Sequence, residues 1–272
     1  MTIADFITDW ETFTNETVSD ADALFFFNEI DQDLYYKLIK VYPEKFVTSC
    51  DIIHYDTGTA EFVAGETLTG GTSTYTATIN TVINKSGTWA GGDAEGVLLV
   101  TSLTGRLTSD ETITSLSGSA TYNSNSFVSG YKIYTLPSDF YNMNYPTVTG
   151  IYEYDTNDEV LRSLPETEQG SNKYGFYLDG TNFILTPEED TGYWKIRYIP
   201  TKDLYTATSD TLLLDDRYEK LYRDLFSYLY YTKNENYQLA SVYQQFAAQG
   251  ENRMLREFNA TQKPVIIRSS YK

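Results

Sequence analysis

A chain of 272 residues has room for one large domain or two modest ones, and either can bury a hydrophobic core. With 41% hydrophobic and 15% aromatic residues, including 25 Tyr and 14 Phe, it lies outside the disordered class. Its net charge of -18 argues against a non-specific nucleic-acid binder, whose affinity comes from Lys and Arg neutralising phosphates.

Thr2 is placed to cap a helix, with Asp5 three residues on and Ile3, Phe6, Ile7, Trp10 and Phe13 at helical spacing; a short amphipathic helix is expected. A second start at Ser19 with Asp22 leads into Leu24, Phe27, Ile30, Leu34, Leu38 and Val41 on one face, until Pro43 forbids continuation. From Phe46 to Tyr55 β-branched and aromatic residues replace the helical period and predict one or two strands.

Residues 57 to 127 are dominated by Thr, Ser and Gly with short Val, Ile and Leu runs between, which reads as a separate small β module. It contains an internal echo: the run from Phe62 to Thr69 matches that from Leu107 to Thr114, with Glu66 and Glu111 in register. Two copies are too few for a solenoid and suit a compact barrel or sandwich of two similar hairpins, with Val97–Val100 as a central strand.

Strand-like patterns return from Phe127 to Leu136 and from Val148 to Tyr154. A hairpin is expected from Tyr174 to Pro187 through Asp179-Gly180, and a further strand from Tyr193 to Pro200. Two helices close the pattern. The first, about 216 to 232, is expected to be capped by Asp216 with Glu219 and to carry Leu221, Leu225, Phe226 and Leu229 on one side. The second, about 236 to 259, carries Leu239, Val242, Tyr243, Phe246, Leu255 and Phe258, and Gly250 weakens it by about 1 kcal/mol relative to Ala. Beyond Pro264 the apolar, locally basic run of Val265, Ile266, Ile267, Arg268, Tyr271 and Lys272 needs a partner.

The expected fold is therefore α+β. A body formed by 1–56 and 128–272 combines N-terminal helices, an antiparallel β region and a C-terminal helix pair; it carries an inserted β-barrel or sandwich at 57–127 and an extended tail at 261–272.

Cys50 and His54, the sole cysteine and histidine, exclude an intrachain disulfide and a Cys/His zinc site within one chain. They lie four apart on an expected strand and so share a face, but no third group completes a nucleophile-base arrangement, and an apolar-flanked Cys is usually an inert core residue. Carboxylate pairs such as Glu188 with Asp190, or Glu66 with Glu111, are uninformative among so many acids. Asp155–Glu159 opens like a calcium loop but has Val160 where Gly is required, and no phosphate-binding glycine loop is present. No catalytic, cofactor or metal site is expected. The Met-Thr-Ile-Ala-Asp start has no basic region followed by an apolar run, and no stretch has membrane-spanning length, so the expectation is a cytosolic product with no membrane partner.

Tyr218, Tyr222, Tyr228, Tyr230, Tyr231, Tyr237 and Tyr243 are distributed around the C-terminal helices instead of along one stripe. Aromatics on more than one face point to packing against neighbouring subunits, with tyrosines at the surface of a single domain as the alternative.

The order of elements, with Leu136-Pro137-Ser138-Asp139-Phe140 entering the β region, the Tyr177-Leu178-Asp179-Gly180 hairpin, the Tyr198-Ile199-Pro200 strand end, two helices and a tail, resembles the head-to-tail adaptor (connector, or tail-tube protein A-like) family of short-tailed bacteriophages. Gly65–Ser73 is also similar to small β modules of phage structural proteins. The resemblance implies a virion protein of the neck, made in the host cytoplasm, of which about twelve copies form a ring beneath the portal. It implies inter-subunit contacts through Tyr218, Tyr222, Tyr230, Tyr231, Tyr237 and Tyr243, and portal docking through Val265–Lys272. The inserted module would meet tail or nozzle proteins, and the acidic surface would line a channel that DNA passes without specific binding. Two other classes are kept: a tail-associated binder of host glycans using Tyr75, Trp89 and Tyr122, and a tail-associated hydrolase using paired carboxylates.

Overall fold

The computed structural model describes residues 1–123, 133–144, 149–153, 175–186 and 194–261. It has two compact units, Met1–Phe46 with Lys202–Lys272, and Val47–Thr201.

The first unit is helical. Helix α1 (Ile3–Thr14) begins in a complete capping box between Thr2 and Asp5, and α2 (Asp20–Val41) is capped by Ser19, as the sequence requires. Phe13 departs from expectation: it is 62% exposed, while Ile3, Phe6, Ile7 and Trp10 are buried. A 3-10 turn at Asp216–Tyr218 is capped by Asp215 rather than Asp216 and leads into α3 (Glu219–Lys233) and α4 (Tyr237–Thr261). Phe6, Phe27 and Phe226 pack ring against ring at 5.1 to 5.4 Å in the centre of this core. Trp10 donates its indole N–H to the Ser227 hydroxyl at 2.9 Å.

One buried carboxylate organises the segment before α3. Asp31 on α2 accepts from the hydroxyls of Tyr205 and Tyr222 (2.6 Å for the latter) and from the Leu213 N–H at 3.0 Å. Nearby, Asn28 grips the Tyr205 backbone at both N–H (2.7 Å) and C=O (3.2 Å).

The second unit is antiparallel β. Strand β1 (Thr48–Ala60) runs unbroken through the expected module boundary at residue 56, so one strand serves both the module and the β region. It pairs with β4 (Ala94–Thr101) along one edge, and the path continues through β3 (Thr76–Ser86), β2 (Thr67–Gly70), β5 (Thr112–Thr114) and β6 (Ser119–Tyr122) back to β1, closing a six-stranded barrel. The barrel interior holds Ile53, Leu68, Leu98, Val100, Ile113 and Tyr122 among others.

Past the barrel, β1 pairs with β12 (Trp194–Pro200), which pairs with β8 (Phe140–Asn142) and β9 (Gly150–Glu153). A separate three-stranded sheet contains β7 (Ile133–Thr135) and the expected hairpin of β10 (Gly175–Asp179) and β11 (Asn182–Thr186), with Gly180 at φ 60° in its turn. Val97 and Leu99 on β4 join Cys50, Ile52, Ile196 and Tyr198 in a second core, while Leu98 and Val100 face the barrel interior. The run Val97–Val100 is central, as expected, and buried on both faces.

Candidate interaction surface

Helix α4 is an outer helix. Its buried positions include the small Ala240 and Ala247, and at Gly250 it approaches α3 so closely that a Cβ would lie 3.0 Å from the Leu221 side chain. The glycine expected to be a weak point is thus a packing contact. Met254 seals the lower end, with Leu255 and Phe258 packed beside it.

The outward side of α4 is unusual. From Tyr237 to Gly250 the helix carries no charged residue, in a chain whose residues are 21% charged. Tyr237 is 66% exposed, and Leu239, Val242 and Phe246, at positions i, i+3 and i+7, form a half-exposed apolar stripe between glutamines. Beside it lies a groove of about 530 Å³ lined by Phe13, Lys220, Arg223, Tyr243 and Phe246 among others. The Lys220 ammonium sits 5.4 Å above the Phe246 ring and the Arg223 guanidinium 4.8 Å above Phe13. Lys220 pairs with Asp224 at 3.1 Å, and Arg223 with Glu219.

The six tyrosines singled out by sequence divide. Tyr222 is fully enclosed by its own chain, donating to Asp31, and has no surface to give a neighbour. Tyr218 and Tyr231 are buried, the first donating to Glu257 at 3.0 Å and the second stacked on the half-buried Tyr243. Tyr230 packs edge-on to Trp10. Only Tyr237 is broadly exposed, and the larger outward surface belongs to Leu239, Val242 and Phe246. The missed signal was the charge-free run itself. The tail residues Val265, Ile266, Ile267, Arg268, Tyr271 and Lys272 lie outside the described residues, as do Glu188, Asp190 and Asp155–Glu159.

The candidate chemical groups are otherwise engaged. The Cys50 thiol meets the Tyr198 hydroxyl at 3.5 Å, and burial pushes its pKa up to about 12 despite that contact, with Asp139 and Asp51 adding to the rise. Burial and the Lys85 charge push His54 down to about 3, leaving a neutral ring edge-on to Tyr134. Burial also lowers the Lys85 amine, which lies 4.7 Å above the Tyr134 ring, to about 7. Glu66 and Glu111 both accept hydrogen bonds from turns of the barrel. Of the three aromatics considered for glycans, Tyr122 is in the barrel core and Trp89 stacks on Tyr55 at 5.2 Å; Tyr75 is 40% exposed. Among the described residues no helix is long and apolar enough to cross a membrane, and no group of three or more His, Cys, Asp or Glu side chains is placed to hold a metal ion.

No family model matches the chain, and a search of curated proteins found no similar sequence.

Proposed function

We propose that this protein is a structural component of a bacteriophage particle, a head-to-tail adaptor that assembles into a ring between the portal and the tail. The observation that carries the reading is the charge-free, half-exposed apolar stripe of α4 in a chain of net charge -18. Leaving Leu239, Val242 and Phe246 in water forgoes about 25 cal/mol per Å² of apolar surface, and interface centres are depleted of charge in the same way. The sequence order that resembles the adaptor family supports it, and the acidic surface suits a channel that DNA slides past. Val265–Lys272 would reach the portal, and the barrel would meet tail or nozzle proteins. The test is the mass of the purified protein, alone and mixed with the portal protein of its phage, by native mass spectrometry. A ring of about a dozen copies, free or on the portal, is expected; a monomer that ignores the portal would overturn the reading.

A further inference from the structure

We draw no further inference here: the strongest candidate, the groove between α3 and α4 beside Phe13 and Phe246 together with the apolar stripe of α4 that borders it, carries nothing, because the cations of the groove are already paired with neighbouring carboxylates and nothing in the structure shows what covers it.

Discussion

Glu111 is held by Ser73 twice, through the backbone N–H at 2.8 Å and the hydroxyl at 2.7 Å. The N–H groups of Thr72 (2.8 Å) and Thr108 (2.7 Å) complete its shell. One repeat earlier the partners are exchanged: Glu66 accepts from the Ser117 N–H at 3.0 Å and from the hydroxyls of Ser117 and Ser115 at 2.5 Å. Each copy's glutamate fastens the other copy's hairpin turn, across the antiparallel pairing of Thr69 with Thr114.

Removing Glu111 should therefore loosen both halves of the barrel. Glu111 is buried, and Glu111→Ala strands four donors, so a loss of about 2–4 kcal/mol is expected in urea denaturation. Glu66→Ala, at a more exposed site, should cost less. Burial raises the Glu111 pKa, but the hydrogen bonds from Ser73, Thr72 and Thr108 outweigh it and hold the group below the ordinary value. Stabilisation from a depressed carboxylate is present above the unfolded pKa of about 4.3 and lost as pH falls through the folded value. Glu111→Gln should flatten the acid limb of the stability curve below about pH 4; an unchanged limb would show that Glu111 does not couple the hairpins.

Asp31 has the opposite sign. Its burial raises the pKa, and the hydrogen bonds from Tyr205, Tyr222 and Leu213 and the charge of Lys202 offset this only in part. A carboxyl whose folded pKa is raised contributes stability that is fully present below the unfolded pKa of about 3.9 and fades as pH climbs through the folded value. The advantage of the wild type over Asp31→Asn should accordingly shrink as pH rises from about 4 towards 8. Chemical denaturation of both proteins across that range checks it, and an advantage growing with pH would reverse the assignment.

Cys50 is expected to be chemically silent in the folded protein. It is fully buried, and its thiol pKa of about 12 leaves almost no thiolate at neutral pH. Reaction with a disulfide reagent should proceed only at the rate of unfolding and rise to that of a free thiol in denaturant. Rapid modification under native conditions would mean that the β1–β12 seam opens locally.

The helices were legible because their signals are local. Thr2 with Asp5 and Ser19 with Asp22 fix the two N-terminal starts within a single turn of chain, and Pro43 fixes a stop. The barrel's repeat was also visible in Glu66 and Glu111, since each copy must present its glutamate at the same point of its hairpin. The reach of β1 was hidden, because composition changes at residue 57 while the hydrogen-bonding path does not; Tyr55 and Asp56 pair with Tyr122 and Thr121 inside a strand that begins at Thr48. The roles of the tyrosines are hidden for a related reason. Tyr222 faces inward to satisfy Asp31, a carboxylate 191 residues away in sequence, and no periodicity reveals such a partner. The exposed stripe on α4 was marked instead by absent charge, a signal that has meaning only once the helix is known to lie on the outside.

Truncation after Thr261 separates folding from attachment. The last anchors of α4 in the core are Met254, fully buried, and Leu255 and Phe258 beside it, all retained by the truncation. The denaturation midpoint should shift by no more than about 0.5 kcal/mol equivalent, the range of surface changes. Loss of Val265, Ile266 and Ile267 should instead abolish retention on the portal in a co-sedimentation assay, because a short apolar run of this kind calls for a partner. A truncated protein that sediments with the portal as fully as the whole chain would move the portal contact to another surface, and the charge-free stripe of α4 would be the next to substitute.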